Sequence, residues 1–354
     1  MRNLSWYYDR YRANKSRVCR ANNENSDICN DRKRDILSYL PDPIRVHILS
    51  SLPTKDAIRT QILSRRWRNT CSSLSKLEFL YNEFKDLRDF KDFVDNTLIL
   101  HDGSDVPKFT LFLNLADEIV SAKQLNAWIT FAIHHNVERF SLNACGMSEE
   151  FGRLPFCFFT CRTLSKLRLS SCENLKWPTF INFPVLKHLD LHSVTFNEES
   201  VTTRLFSSST CPVLQKLSIY FCYFKNIHTL SISFPSLKYL QLLSEDSVTV
   251  SLSVPVLLEI DYECVLPPKI SCETLSSMLH ACFQISMPDS LSGELAFRDS
   301  AREILMGSNN VHTLNFSTDI IEVKFIHLSY FFRVFTLPSP SRISCRFSPG
   351  IQIY

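Results

Sequence analysis

One periodic pattern of apolar residues constrains the fold of this chain more than any other sequence feature. The spacing Leu-x-x-Leu-x-Leu recurs, with conservative replacements, between residues 164 and 262, and a proline precedes most copies. Successive copies begin 22, 28, 23 and 20 residues apart, at Leu164, Leu186, Leu214, Leu237 and Leu257. A period of this length indicates stacked repeats, in which each unit buries its apolar side only against its neighbours.

The length and composition of the unit predict leucine-rich repeats, whose period is roughly 20–29 residues. Each such repeat contributes one short parallel strand, and the stacked strands form a curved parallel β-sheet with a continuous apolar core. Weaker copies of the pattern begin at Val106, Val137 and Val311. We therefore expect the solenoid to cover residues 106–265.

A second periodic position supports the same register. The residue eight places after the first leucine of a leucine-rich repeat is commonly Asn or Cys, because its side chain turns inward where the chain leaves the strand. That position holds Asn114, Cys145, Cys172 and Cys222, whereas Val194 fills it in another repeat. We predict that these three cysteines are buried structural thiols.

The register also predicts which side chains face outward from the sheet. Repeat proteins bind partners along this surface, and a solvated polar face is the alternative explanation for such a mixed set. The candidate target-binding residues lie between the leucines: Lys166, Arg168, Lys187, Asp190, Lys216, Lys238 and Tyr239.

The segment before the repeats carries dense helix signals. Asp42 before Pro43 is a favourable helix start, and Pro53 ends the helix that follows. Apolar residues recur along this helix at helical spacing, at Ile44, Ile48, Leu49 and Leu52.

Two further helix starts follow. Thr54 is expected to cap a second helix with an apolar side formed by Ala57, Ile58, Ile62 and Leu63, and Ser64 to cap a third that carries Trp67. So small a bundle cannot bury all of its apolar residues. We expect either a partner protein or the neighbouring domain to cover the remainder.

The string from Asp35 to Phe79 resembles the plant F-box, particularly that of proteins that combine an F-box, leucine-rich repeats and an FBD-type tail. The resemblance rests on Leu40–Asp42, Ile48–Ser50, Leu52–Asp56 and Leu63–Arg68 in this order. It implies that the module binds the Skp-type adaptor of cullin-based ubiquitin ligases. The implied adaptor-binding residues are Leu40, Pro41, Ile44, Ile48, Leu49, Leu52, Pro53, Ile58 and Trp67, with Trp67 in the packing of the third helix.

Two residues depart from the family pattern near the end of this module. Cys71 stands where the family usually has tryptophan, and Leu80 where it usually has an acidic residue. Both departures concern the junction with the next domain more than the face that docks the adaptor.

These signals predict an α+β protein, in which a small three-helix F-box module precedes the leucine-rich-repeat solenoid. The expected organisation is a basic tail, the F-box, a linker that forms one amphipathic helix, the repeats, and an irregular carboxyl-terminal region that is a diverged or truncated FBD-like tail. The corresponding ranges are 1–32, 33–80, 81–105, 106–265 and 266–354.

Composition argues against several classes of function. A net charge of +3 is too small for a general binder of nucleic acid or membrane surfaces, and no stretch is apolar enough to span a membrane. The thirteen cysteines show no zinc-ligand spacing, and six glycines are too few for phosphate-cradling loops. Catalytic motifs are also lacking, so we expect no enzyme, no metal and no cofactor.

The leading hypothesis is a non-catalytic adaptor of a Skp–cullin–F-box ubiquitin ligase, which binds the Skp-type adaptor, and through it a cullin, by the F-box and a protein target by the repeats. Reduced thiols fit a cytoplasmic or nuclear location. The alternative is a repeat scaffold outside any ligase, whose helical module only caps the solenoid. A third possibility, recognition of a small molecule, requires a pocket of charged and aromatic residues on the sheet.

Overall fold

In the computed structural model, the described residues are 39–114, 120–146, 152–285 and 311–316, together with Ile304, Arg342 and Ile343. The chain divides into two compact units, Met1–Pro41 and Asp42–Tyr354. Only residues 39–41 of the first unit are described. The predicted basic tail, 1–32, and most of the chain beyond residue 285 lie outside the described residues.

The second unit begins with short helices and continues into alternating strands and helices. Within the described residues the α-helices are α1 (Asp42–Ser51), α2 (Thr54–Arg59), α3 (Arg65–Ser72), α4 (Leu87–Ile99), α5 (Ala122–His134), α6 (Phe156–Phe159), α7 (Glu199–Leu205) and α8 (Cys272–Ser277). Short 3₁₀ turns cover Thr60–Ile62 and Tyr81–Glu83. The strands, in chain order, are β1 (Lys76–Leu80), β2 (Lys108–Asn114), β3 (Arg139–Cys145), β4 (Lys166–Ser170), β5 (His188–His192), β6 (Thr195–Phe196), β7 (Lys216–Tyr220), β8 (Tyr223–Phe224), β9 (Thr229–Ser233), β10 (Tyr239–Ser244), β11 (Thr249–Ser253), β12 (Glu259–Cys264), β13 (Lys269–Ile270), β14 (His280–Ile285), β15 (Thr313–Phe316) and β16 (Arg342–Ile343).

Helices α1, α2 and α3 pack on one another and form the amino-terminal module, residues 42–72. The predicted cap of α3 is present, because the Ser64 hydroxyl accepts the backbone N–H of Trp67 at 3.4 Å. The predicted cap of α2 is wrong. Pro53 occupies the cap position and Thr54 is the first helical residue, so the Thr54 hydroxyl is available to another partner.

The main sheet is parallel throughout the described strands. Its order is β1-β2-β3-β4-β5-β7-β10-β12-β14-β15-β16. The second leucine of each predicted repeat lies opposite its counterpart in the next strand, as Leu167, Leu189 and Leu217 show. This ladder continues through Leu240 and Ile260, and all five side chains are buried. The predicted register is therefore confirmed.

The length of each repeat decides how the chain returns between neighbouring strands. Two long connections, from β1 to β2 and from β2 to β3, hold the thirteen-residue helices α4 and α5. The shorter connections after β7 and β10 hold no helix, and their strands β9 and β11 form a second parallel sheet with β13. A helix rises 1.5 Å per residue and a strand about 3.3 Å, so a short repeat spans the same depth only with extended chain.

The main sheet begins earlier than the predicted start of the repeats. Strand β1 pairs with β2 in parallel, and Leu77 and Phe79 are fully buried. The amphipathic helix predicted in 81–105 is present as α4, which buries Phe90 and Val94. It connects two strands of the same sheet, so this segment is the return of a repeat and not a linker before the repeats.

The sheet also continues past the predicted end of the repeats. Strands β14, β15 and β16 follow β12 in the sheet order, and Phe283 and Leu314 are buried. The expectation of an irregular region from residue 266 is therefore wrong for these strands. The weak copy that begins at Val311 supplies β15, which pairs with β14.

Candidate functional site

The amino-terminal module has its own buried core. Leu49 on α1, Ala57 on α2 and Trp67 on α3 are each at most 2% exposed. Cys71, the departure from the family pattern, is also buried, and its thiol donates to the Ala57 carbonyl at 3.1 Å. Burial raises the pKa of this thiol. A small residue thus joins α3 to α2 at the position where a tryptophan was expected.

The residues predicted to bind an adaptor are exposed to very different degrees. Ile44 is 47% exposed, Pro41 and Pro53 are exposed, and four others are half-buried: Leu40, Ile48, Leu52 and Ile58. Leu49 is buried, so the structure contradicts its assignment to the docking face, whereas the burial of Trp67 agrees with its expected role in the packing of the third helix. Leu49 belongs to the apolar stripe of α1, but the stripe is wider than the buried side of this helix.

Three apolar side chains outside the predicted adaptor-binding set are exposed as well. Val46 on α1, Ile62 in the 3₁₀ turn and Leu63 after it are each 45–46% exposed. Ile62 and Leu63 were expected to pack as the apolar side of α2. The 3₁₀ turn that ends α2 breaks its helical register and leaves both side chains exposed. The excess of apolar residues in this small module was the signal that some would remain exposed.

The amino-terminal module is joined to the edge strand β1 by polar contacts. The Thr54 hydroxyl accepts the backbone N–H of Glu78 at 2.7 Å, and Thr54 is 2% exposed. Lys55 donates to the carbonyl of Glu83, and its ammonium lies 3.9 Å from the centre of the Phe84 ring. Edge strands carry unpaired backbone groups, so α2 acts as a cap on this end of the sheet.

The outward surface of the main sheet is here called the open face. Its side chains alternate with the buried leucines, so that each strand contributes two or three of them. Two carboxylates on it are each held by two cations. Asp190 lies 3.2 Å from Arg168 and 3.8 Å from Lys166. Glu78 lies 2.9 Å from Lys76 and 2.6 Å from Lys108.

The electrostatics of the open face follow from these contacts. Burial opposes the ionisation of Glu78, but the hydrogen bonds from Lys108 and Lys76 outweigh it and lower the pKa of this carboxyl group. Burial also lowers the pKa of His188, and the neighbouring Lys166 lowers it further. His188 therefore favours its neutral form beside the cationic side chains.

Five of the seven predicted target-binding residues lie on strands of the open face, as the register required: Lys166, Arg168, Asp190, Lys216 and Tyr239. The other two, Lys187 and Lys238, do not. Each directly precedes a strand and is exposed at the edge of the sheet where the strands begin. Their backbone N–H groups donate to the carbonyls of Ser165 and Gln215 in the preceding repeat.

Two shallow depressions lie side by side on the open face. One, of about 420 Å³, is lined by Lys166, Arg168, His188, Asp190, His192 and Tyr220, among others. The second, of about 250 Å³, is lined mainly by Tyr239, Glu259, Asp261, His280 and Asn315. Lys216 and Gln241 line both. No sequence motif indicated these depressions, because they depend on which long side chains become neighbours across the strands.

The predicted ladder of inward cysteines is correct at two positions. Cys172 and Cys222 are buried, and burial raises the pKa of each thiol to about 12. In both repeats the strand ends two residues before the cysteine. The residue between them, Ser171 or Phe221, has a φ angle of 53° or 50°, respectively. This left-handed residue turns the following side chain inward.

Cys145 contradicts the prediction, because it is exposed. Strand β3 extends through Cys145 and buries Phe140, Leu142 and Ala144, so regular alternation places Cys145 on the outward side. Asn114 holds the equivalent position in the repeat that begins at Val106, and its side chain lies outside the described residues.

Neither a membrane span nor a metal centre is found in the described part of the chain. No helix there combines the length and the apolar composition needed to cross a bilayer. No group of three His, Cys, Asp or Glu side chains in the same ranges is arranged to hold a metal ion.

Comparison with protein families assigns a domain to both parts of the chain. Residues 37–79 match the F-box domain. Residues 125–281 match the leucine-rich repeats described as those of the FBD-associated F-box protein At5g56370.

Three curated relatives are F-box proteins by name, and two of the three names also give leucine-rich repeats. The putative F-box protein At3g58860 of Arabidopsis thaliana is 34% identical over 244 residues, which cover 65% of this chain and 51% of the relative. The F-box/FBD/LRR-repeat protein At5g56420 of the same plant is 32% identical over 59% of this chain and 49% of its own length. The F-box/LRR-repeat protein At3g59200, also from this plant, is 27% identical over 82% of this chain and 60% of its own. The chain thus spans about half to three fifths of the length of these relatives.

Proposed function

We propose that this chain, a relative of the plant F-box/FBD/LRR-repeat proteins, is the substrate-recognition adaptor of a Skp–cullin–F-box ubiquitin ligase. The F-box match and the leucine-rich repeats support an adaptor role. In this proposal the amino-terminal module binds a Skp-type adaptor, and through it a cullin, while the open face binds a protein target. The chain itself needs no catalytic residue, because another subunit would carry the activated ubiquitin.

The exposed apolar surface of the amino-terminal module is the observation that carries the adaptor-binding part. Ile44, Val46, Ile62 and Leu63 are each close to half exposed, although Leu49, Ala57 and Trp67 are buried in the same module. All four lie within the F-box match. Large apolar side chains concentrated in so short a segment are typical of a surface that a protein partner covers.

The alternative function, a scaffold whose module only caps the solenoid, draws on a separate observation. Contacts of Thr54 with Glu78 and of Lys55 with Phe84 make the module a cap of strand β1. A cap alone requires the apolar stripe of α1 to be buried within the chain. Ile44 is exposed and Ile48 and Leu52 are only half-buried, which favours a module that caps the sheet and also binds a partner.

The proposed mechanism is proximity. A target held on the open face would keep its lysines close to the ubiquitin carrier of the ligase. Holding two reactants on one assembly replaces an encounter in solution by an effective concentration in the millimolar range. The proposed ligase role places the chain in the cytoplasm or the nucleus, which microscopy of a fluorescent fusion tests.

Binding to a purified Skp-type adaptor, measured by titration calorimetry, tests the proposal directly. We expect Ile44→Asp and the double variant Leu40→Ala/Pro41→Ala to weaken binding at least tenfold, because a charge or a cavity would replace apolar contact. The matched control is Val256→Asp, since Val256 is 40% exposed but lies among the repeats. We expect it to bind like the wild type.

Two results would contradict the proposal. One is a folded wild-type protein that shows no affinity for any Skp-type adaptor, which would leave the scaffold as the better explanation. The other is undiminished binding by both F-box variants, which would place the adaptor elsewhere on the chain. Circular dichroism of each variant excludes unfolding as the cause of lost binding.

A further inference from the structure

Charges of opposite sign are separated along the open face. From β1 to β7 the outward positions of the described strands carry six cationic side chains and two carboxylates. The cations are Lys76, Lys108, Arg139, Lys166, Arg168 and Lys216. Strand β12, two places beyond β7 in the sheet, carries only carboxylates at its three outward positions, Glu259, Asp261 and Glu263.

The two carboxylates on strands β1 to β7, here called the basic part of the open face, are Glu78 and Asp190, and they lie beneath the cations that contact them. The Asp190 side chain is 13% exposed, whereas the Lys166 and Arg168 side chains that contact it are 41% and 56% exposed. An approaching partner therefore meets the ammonium and guanidinium groups before the carboxylate. This part of the face is more positive toward solvent than its composition suggests.

The carboxylates of β12 differ from these two in their exposure and in their ion pairs. Glu259, Asp261 and Glu263 are all exposed, and no ion pair within the described residues involves them. Between the two parts lies strand β10, whose outward side chains, Tyr239, Gln241 and Leu243, are uncharged. Tyr239 is 38% exposed and offers an apolar ring at this boundary.

The two depressions follow the same division. The larger contains Lys166, Arg168 and Lys216, and the smaller contains Glu259 and Asp261. They share Lys216 and Gln241, so one partner segment can occupy both. Strands of a sheet lie about 4.8 Å apart, which puts β12 about 10 Å from β7 and about 19 Å from β4. An extended segment covers these distances with about three to six residues.

We propose that the open face recognises a protein segment of two-part charge, in which an acidic cluster lies over β4–β7 and a basic residue lies over β12. This inference rests on the proposed function, because it names the chemistry of the target that the repeats would hold. Complementary charge determines the orientation of such a segment and disfavours partners with a uniform charge. Charge complementarity with two adjoining depressions favours this occupant over a uniformly acidic one.

A fluorescent peptide tests the inference by anisotropy with the full-length chain. The bipolar peptide has a glutamate block and a lysine pair separated by about four neutral residues, the spacing that the strand separation requires. A second peptide has the same composition with alternating charges, and a third carries only the glutamate block. We expect the bipolar peptide to bind about tenfold more tightly than the alternating one, with affinity that falls as salt is added.

Charge-reversed proteins provide the complementary measurement. Glu259→Lys/Asp261→Lys should weaken the bipolar peptide about tenfold and strengthen the all-glutamate peptide, whereas Arg168→Glu/Lys216→Glu should weaken both. The control Asp89→Lys/Asp92→Lys makes the same change in net charge as Glu259→Lys/Asp261→Lys but on helix α4, away from the open face, and should change neither affinity. Each variant should retain its affinity for the Skp-type adaptor, so this result is separate from that of the proposed function.

Three results would overturn the inference. Equal binding of the bipolar and alternating peptides would show that the open face does not distinguish the order of charges along a segment. Affinity weaker than about 1 mM for every peptide would show that it does not hold a segment of this chemistry. Self-association of the chain that Glu259→Lys/Asp261→Lys abolishes, seen by sedimentation, would assign the face to a second copy of the protein.

Discussion

The backbone N–H of Glu78 donates a hydrogen bond of 2.7 Å to the hydroxyl of Thr54. Thr54 begins helix α2, and Glu78 lies in the middle of strand β1, whose opposite edge pairs with β2. The carboxylate of the same glutamate is held by Lys76 and Lys108 on the open face. One residue thus connects the amino-terminal module to the sheet through its backbone and two strands to each other through its side chain.

Thr54→Val should destabilise the chain by about 1–3 kcal/mol, because the isosteric side chain leaves the Glu78 N–H without its acceptor. The control is Thr97→Val on α4, where the lost hydroxyl only donates to the carbonyl of Phe93 in the same helix. Urea unfolding measures both free energies. If the two substitutions prove equally mild, the contact contributes nothing to the junction.

Trp67→Ala should cost about 3–5 kcal/mol, since Trp67 is 2% exposed in the core of the module. Ile44→Ala should cost less than about 0.5 kcal/mol, because nearly half of that side chain already faces solvent. Urea unfolding followed by circular dichroism compares the two variants. A large loss for Ile44→Ala would mean that Ile44 belongs to the core and not to a docking surface.

Alkylation should distinguish the cysteines of the repeats. The pKa of about 12 of Cys172 and Cys222 leaves a thiolate fraction of about 10⁻⁴ at pH 8, and both thiols are buried. Cys145 is exposed and should react first. Mass spectrometry of iodoacetamide-treated protein measures the order, with denatured protein as the control in which all three react. Fast labelling of Cys172 in the native protein would refute its inward position.

Ser171→Val should destabilise the chain by about 1–2 kcal/mol, because Ser171 has a φ of 53° and a β-branched side chain is strained in that region. Ser170→Val is the matched control one residue earlier, in strand β4, where valine is well accommodated. Thermal unfolding of the two variants compares them. Equal midpoints would argue that the turn after β4 does not need its left-handed residue.

Glu78→Gln should change the pH dependence of stability. Because the folded pKa of Glu78 lies below its ordinary value of 4.5, its ion pairs stabilise the fold above that value. This contribution, about 1 kcal/mol or less, is lost as the pH falls through the lowered folded pKa. Urea titrations of both proteins between neutral and acid pH should show a difference that disappears in acid. A difference independent of pH would exclude a role for the charge.

Local patterns were sufficient to predict the repeats. Leu167, Leu189 and Leu217 each follow the lead leucine by three residues, and this spacing alone placed them in register. Alternation along each strand then predicted that Lys166, Arg168, Asp190 and Tyr239 face outward, as they do. Such predictions succeed because a strand of fixed period exposes and buries side chains by parity, whatever its neighbours are.

Predictions failed where a strand begins or ends one or two residues away from the expected place, because this difference changes the side of the sheet that a side chain faces. Cys145 and Cys172 occupy the same place in their repeats, but β3 continues through Cys145 whereas β4 ends before Ser171. Lys187 and Lys238 precede their strands by one residue and so lie at the edge of the sheet. For the two cysteines the spacing from the first residue of the repeat is the same, and only the extent of the strand determines which way each side chain points.

The sequence by itself determined the repeat period, the inward leucines and the resemblance of residues 35–79 to an F-box, because each depends on residues close together in the chain. Only the tertiary structure decided which apolar side chains of the amino-terminal module remain exposed, since Leu49 and Ile44 lie on one helix and differ by what packs against them. It also decided that α2 caps β1, and that opposite charges separate along the open face. Both depend on contacts between residues distant in sequence, which no local pattern specifies.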